Sequence, residues 1–395
     1  MSEKKAARLT LGFSCVGHTY AHLFAPIFFV VALALETELG LTHGEVVSLI
    51  VVGNVMYGVA APFSGWLGDK WSAAGMMAVY YFGLGAGMIA VGLADGPFEM
   101  AVYLSLTGIF GSIYHPVGFA WLISQVEKRG TALGINGVFG TIGPSVAALS
   151  AGVLTDAFGW RWAFILPGIL IIVTGLVFSG LLRSGAIHDR ENAAIPQHVA
   201  HKGEIVRAVS VLAVTMLCTG LVYQTLAPAL PKAFSEGLGA LVGDGVLGVG
   251  LMVAMVYVVA GGFQLIAGRM ADSFPLKYIY VAAFVVQIPF LAIASSAGGG
   301  SLLFAALVMV SANQSALPVE NALVARYAPK DWRALAFGLK FILAFGLSGL
   351  GVYMEAVLYD LTGGFHWTFM VLAAIALVGF SAGWLLPSER KAVTV

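Results

Sequence analysis

Charge is what this chain has least of. Only 10% of its 395 residues are Asp, Glu, Lys or Arg, against about 25% in an ordinary soluble protein, while 59% are hydrophobic. Charge this sparse cannot clothe a water-exposed surface. The 20 acidic and 20 basic residues cancel, so no net basic field is present to attract a nucleic acid. Cysteine is almost missing: Cys15 and Cys218 are the two, both inside apolar runs, in no metal-ligand spacing, and they read as packing residues. No nucleotide-binding glycine-lysine loop, nucleophile and base spacing or zinc-protease signature occurs, and there is no ATPase domain. The chain is therefore not expected to be an enzyme or to hold a metal or organic cofactor. The first apolar run is of full length and leads to no small-residue cleavage site, so no removable signal peptide is expected.

Apolar windows of about 20 residues are abundant, each able to cross about 30 Å of hydrocarbon as a helix. They lie at 10–34, 45–66, 72–93, 98–123, 131–154 and 162–182, then at 206–230, 246–268, 277–296, 301–325, 334–357 and 367–386. Open strands would leave backbone groups unpaired in lipid, and barrel strands would be half this length. The expected fold is an all-α integral membrane protein with twelve transmembrane helices in two pseudo-symmetric six-helix bundles. Residues 1–183 form the first bundle and 205–395 the second, with a polar linker at 184–204 between them. The 50 glycines suit close helix contact and local bending, as at the GxxxG spacing of Gly83 and Gly87.

The few charges set an orientation. Lys4, Lys5 and Arg8 precede the first window, and Lys70, Lys128, Arg129, Arg269, Lys277, Arg326, Lys330 and Arg333 occupy the even-to-odd connections. Arg183, Arg190, Lys202 and Arg207 flank the central linker, and Arg390 and Lys391 follow the last window. Acidic residues such as Glu36, Glu38, Asp156 and Glu236 gather on the other side, with only Arg161 and Lys232 among them. By the positive-inside rule both termini and the linker are cytoplasmic.

The polar punctuation between the windows occurs twice, about 203 residues apart. Gly65, Leu67 and Asp69 in GWLGDK are answered by Gly268, Met270 and Asp272 in GRMADS, and Arg129 in RGTALG by Arg333 in RALAFG. Such ordered matches indicate two structurally equivalent halves. The chain resembles the major facilitator superfamily across essentially its whole length. That resemblance implies two six-helix bundles around a central cavity, working by alternating access. GWLGDK resembles the superfamily signature between the second and third spans, although the basic cluster that usually follows is reduced to Lys70. Gating roles are implied for Gly65, Asp69, Arg129, Asp272 and Arg333. For Asp69 the alternative is a local cap of the next helix, and the two arginines read equally as topogenic charges. GVFGTIGPSVAA, with Gly140, Gly143 and Pro144, resembles the glycine-proline motif of the superfamily's proton antiporters and should bend and pack closely.

Polar groups at membrane depth are the candidate site, because their desolvation has to be compensated or used. His18 and His22 are one turn apart on one face, and His115 sits at similar depth in GSIYHP. The YHP segment resembles the fosmidomycin-resistance group of drug exporters. The three histidines suit proton or substrate binding; a metal site is not expected, since no Cys or acidic ligand accompanies them locally. Glu320 lies six residues before Arg326, and Lys340 seven after Arg333, which at about 1.5 Å per residue gives them matching depths for an ion pair. Asn54, Tyr57, Tyr223, Gln224 and Gln264 complete the candidates. Glu355 reads as interfacial.

The expected function is proton-coupled antiport that exports a small amphipathic or anionic organic compound, with proton-coupled uptake of a small organic anion as the alternative. The expected partners are that small-molecule substrate and the membrane lipids, with no nucleic acid, and the chain is expected to work as a monomer. Its expected place is a bacterial inner membrane.

Overall fold

The computed structural model describes residues 3–126, 128–189, 202–327 and 338–387. Within them, eleven helices are long and apolar enough to cross a membrane, and a bent pair makes a twelfth span. In chain order these are α1 (Lys5–Leu39), α2 (His43–Val59 with Ala61–Lys70, bent by 42°), α3 (Ala73–Gly92), α4 (Pro97–Gln125), α5 (Thr131–Phe158) and α6 (Trp160–Arg183). The second set is α7 (Gly203–Gly237), α8 (Leu247–Ala271), α9 (Leu276–Ala294), α10 (Gly299–Tyr327), α11 (Gly338–Thr362) and α12 (His366–Trp384). Every apolar window of the sequence coincides with one of these helices, apart from 334–337 of the eleventh, which lie outside the described residues. The linker expected at 184–204 is described up to Asp189 and again from Lys202, where the helix leading into α7 begins.

The starts of the odd-numbered helices and the ends of the even-numbered ones share one end of the bundle, here the near end. Arg207 and Lys277, at the starts of α7 and α9, donate to the carbonyls of Leu385 and Leu386 just past α12 at 2.7 and 2.8 Å. Asp189, beyond α6, accepts from the Ser72 hydroxyl at 2.6 Å and from Ala74 N at 2.9 Å. Ser72 in turn caps α3 through Gly75 N at 2.8 Å. The helix cap considered for Asp69 is thus supplied by Ser72 and Asp189.

Lipid offers no hydrophobic drive for helix association, so close backbone approach takes its place. On α3, a Cβ at Gly83 would meet Phe110 at 2.2 Å and one at Gly87 would meet Thr107 Oγ1 at 2.4 Å, so both glycines admit α4. The halves meet along α2 and α11, along α5 and α8, and between α1 and α7. In the α2–α11 seam a Cβ on Gly58 would lie 2.0 Å from the backbone nitrogen of Gly346, and one on Gly349 3.1 Å from that of Val55.

Four spans depart from regular α-helix at middle depth. Proline at position i leaves the carbonyl of i−4 without its donor. Pro26 does so to His22, where α1 is interrupted by a turn over His22 and Leu23. Pro62 does so to Gly58, beside the break in α2. Pro116 lies within a π-helical turn, Tyr114–Gly118, in α4. A second π-helical turn, Ile342–Gly346, occupies α11 without a proline. The repeat is legible in the packing: a Cβ on Gly65 would touch Pro116 at 3.1 Å, and one on Gly268 would touch Pro318 at 3.8 Å.

Candidate functional site

The interruption of α1 and the π turn of α4 bring the three mid-membrane histidines together. Ring centroids are 5.2 Å apart for His18 and His22, 5.4 Å for His18 and His115, and 5.2 Å for His22 and His115. His18 and His115 are buried and His22 is half-buried. His18 Nδ1 donates to the carbonyl of Asn136 on α5 at 2.9 Å. Asn136 is itself held by donating to Ser14 Oγ at 3.0 Å and Tyr114 OH at 2.8 Å. His115 Nδ1 pairs with Tyr57 OH at 3.0 Å, and that hydroxyl donates to the carbonyl of Ala21 at 3.2 Å. From the second half, Phe341 and Phe345 of α11 pack on His115 at centroid distances of 5.4 and 5.6 Å.

The glycine-proline segment of α5 makes room for these rings. A Cβ on Gly140 would lie 2.3 Å from His18 Cε1 and 2.4 Å from its Nε2, and one on Gly143 would lie 2.7 Å from His22 Cβ. Pro144 is carried inside a continuous helix, Arg129–Phe158. The motif therefore serves a local purpose in this chain, seating two imidazoles against a helix that has no side chain at those positions.

In the second half, Lys340 Nζ lies 3.0 Å from Glu320 Oε1, and both side chains are buried. Among the described residues Glu320 Oε1 has no hydrogen-bond donor, and Lys340 meets it as an ion pair. Its other oxygen accepts from Tyr280 OH on α9 at 2.7 Å, and Lys340 donates to Asn321 Oδ1. Removing either member of such a buried pair leaves the other unmatched in a dry site.

A third polar group, at the far end, escaped the sequence reading. His43, at the start of α2, has Nδ1 2.8 Å from Glu36 Oε1 of α1 and Nε2 2.9 Å from Glu355 Oε1 of α11. Glu355 is fully buried rather than interfacial, because the close approach of α2 to α11 encloses it. Lys232 of α7 binds Glu36 Oε2 at 2.5 Å. Alongside, Asp360 of α11 accepts from Gly44 N at 3.0 Å and from the Thr42 hydroxyl at 2.6 Å. Asp156, ending α5, accepts from Val246 N at 2.9 Å and Leu247 N at 2.8 Å at the start of α8, an anionic cap on a helix N-terminus. All of these ties except His43 to Glu36, which lies within the first half, join the two halves. A sequence signal was present in Glu36, Glu236 and Lys232 gathered on one side of the membrane, but the pairings of Lys232 with Glu36 and of His43 with Glu355 span 196 and 312 residues.

The remaining candidates are scattered. Gln264 of α8 accepts from Thr141 Oγ1 of α5 at 2.9 Å and so joins the halves at the seam. Asn54 is buried at the α2–α11 contact, and its Nδ2 has no partner among the described residues. Gln224 is buried and Tyr223 half-buried on α7. Asp69 and Asp272 are exposed at the near end. Neither side chain makes a hydrogen bond or ion pair among the described residues. Arg129 opens the helix of α5; Arg333 lies outside the described residues.

Comparison with known proteins agrees with this architecture. The Multidrug resistance protein MdtG of Salmonella dublin is 24% identical over 238 residues, covering 58% of this chain and 57% of that protein. Its counterpart from Escherichia coli O1:K1 / APEC is 23% identical over the same shares. The chain thus matches little more than half the length of these curated relatives. Among solved structures, a bacterial homologue of the human lysosomal transporter Spinster, in an inward-facing and unoccupied conformation, superposes with a TM-score of 0.69. At 12% identity over 96% of this chain and 95% of that one, it shows the fold alone. The family profile described as Major Facilitator Superfamily matches residues 13–248 and again 212–395, and the chain accordingly belongs to that superfamily.

Proposed function

We propose that the protein is a proton-coupled antiporter that exports a small amphipathic or anionic organic compound from the cytoplasm across a bacterial inner membrane. The observation that carries the coupling is the position of His43 between two carboxylates. A neutral imidazole has one N–H, yet both ring nitrogens face carboxylate oxygens, at 2.8 and 2.9 Å. Making both bonds takes one proton more than a neutral imidazole between two carboxylates supplies. His43 and Glu36 belong to the first half and Glu355 to the second, so that proton adds the His43–Glu355 bond to the other ties that fasten the far end. A proton arriving from outside closes the far gate, and its departure lets the gate open. The basic near end is the cytoplasmic one, by the excess of Lys and Arg there.

Substrate reaches the middle of the membrane from the near end and meets His22, His115, Tyr57, Tyr223, Gln224 and the Glu320–Lys340 pair. An anionic group draws Lys340 away from Glu320, whose bond to Tyr280 remains, and the carboxylate so released can take up a proton. Asp69 and Asp272, whose side chains make no bonds among the described residues in this far-closed state, are the candidates to fasten the near end in the opposite one, with Arg129 and Arg333 as partners. The multidrug resistance name of the MdtG relatives supports export of organic compounds. No metal or organic cofactor is needed for this cycle, and the monomer contains both gates.

Reconstituted protein in vesicles with an imposed pH gradient tests the reading. A fluorescent amphipathic anion is expected to move against the proton flux, and His43→Gln is expected to leave downhill movement while abolishing dependence on the gradient. Parallel fluxes of probe and protons would establish uptake by symport instead.

A further inference from the structure

We propose that His18, His22 and His115 together bind one divalent transition-metal ion of the zinc class, with a fourth coordination position left for a water or an anionic oxygen. One ring nitrogen from each of the three residues lies within 4.8 Å of the other two. A four-coordinate ion with metal–nitrogen bonds of about 2.0–2.1 Å needs nitrogens about 3.3 Å apart. Small ring rotations bring the nitrogens to that spacing, and the ring of His22, which is half-buried and makes no side-chain hydrogen bond among the described residues, is the one freest to turn.

The hydrogen bonds around the other two rings favour ligation. Carbonyl oxygen only accepts, so His18 Nδ1 carries the proton in its bond to Asn136 O, and Nε2 keeps its lone pair. Tyr57 gives its hydroxyl hydrogen to Ala21 O, so His115 Nδ1 donates to Tyr57 and its Nε2 is likewise free. A ligating imidazole almost always donates its second nitrogen to a carbonyl or another oxygen, which fixes the ring and raises its basicity. Both outer partners are already present here. The Gly140 clearance keeps the His18 Nε2 edge open, since a Cβ would stand 2.4 Å from that atom. The sequence offered no Cys or acidic ligand beside these residues, but three imidazoles suffice for zinc when a fourth position stays open. With neutral ligands the ion retains its double charge, so an anion in the fourth position would be strongly held. This inference goes beyond the transport reading, since proton antiport does not require the ion.

Co2+ is the probe, because its four-coordinate complexes absorb strongly in the visible and its six-coordinate ones weakly. Titrating the full-length protein, with any purification tag removed, is expected to show one equivalent of intensely absorbing Co2+ that excess Zn2+ displaces. His22→Gln is expected to lose that absorption at least tenfold in affinity while thermal unfolding of the metal-free protein stays unchanged, because the His22 ring makes no hydrogen bond among the described residues. A triple change of His188, His198 and His201 to Asn, in the linker region, is expected to keep it. Absence of the intense absorption, its survival in His22→Gln, or its loss in the linker variant would each overturn the proposal. Transport coupled to protons but unaffected by chelators would leave the function intact and make the ion a ligand rather than part of the cycle.

Discussion

His43 Nε2 and Glu355 Oε1 stand 2.9 Å apart across the boundary between the two halves, both side chains buried. The sign of the pH effect follows from the proton count. At low pH the imidazole and the two carboxylates hold enough protons for both bonds; as pH rises the additional proton leaves, two anions face a one-donor ring, and the bridge weakens. Far-end separation should therefore increase with pH. Spin labels at Phe98 and Leu361, which are 81% and 77% exposed on opposite halves, are expected to move apart as pH rises. In His43→Gln the separation should be wide at every pH. A distance that stays short in that variant would remove His43 from the gate.

Glu320 and Lys340 call for single and double replacement. Taking one partner from a buried pair costs about 3–5 kcal/mol, because the other is left charged and unmatched, while replacing both by neutral groups of similar size is often close to neutral. Lys340→Met should therefore lower thermal stability clearly, and Glu320→Gln with Lys340→Met should recover most of it. Both variants should lose coupled transport. Recovery of transport in the double variant would show that the pair is structural only.

Much of this was legible in one dimension because membrane crossing is a local property. An apolar window of about 20 residues needs no partner to be recognised, so all twelve spans fell where the hydropathy placed them. The depth of Glu320 and Lys340 was also readable, since helical rise converts residue counts to distance from a charged boundary. The His43 bridge was not. It depends on α2 and α11 approaching closely enough to bury Glu355, and that approach rests on Gly58 meeting Gly346, 288 residues later, which no local pattern encodes. Asp69 failed as a cap for a similar reason: Asp189, 117 residues beyond Ser72, reaches the start of α3 first.

Gly140→Ala tests whether the α5 motif is there for bending or for seating His18. A methyl 2.3 Å from the imidazole has to displace the ring, at a cost of about 1–3 kcal/mol for an overpacked site. The displaced ring also gives up its bond to Asn136. Thermal unfolding should fall accordingly, and the added change His18→Ala should restore much of the stability without restoring transport. If Gly140→Ala is as stable and as active as the parent, the glycine is a matter of helix bending alone.

Gly58→Ala acts on the same gate as His43 by a different force. The added methyl would stand 2.0 Å from the Gly346 nitrogen and 2.5 Å from its Cα, and backbone atoms cannot swing aside as a side-chain tip does. The α2–α11 seam must then part, and the tie of Gly44 to Asp360 at its far end is drawn open with it. The variant is expected to populate the far-open state, with the Phe98–Leu361 label distance increased. Unlike the widening that alkali produces in the parent, this one should persist at low pH, because protonating the His43 bridge does nothing to relieve a steric clash. Labels that remain close at low pH in Gly58→Ala would mean that the bridge alone can hold the gate against the displaced helices, and that the glycine seam is not what sets its closure.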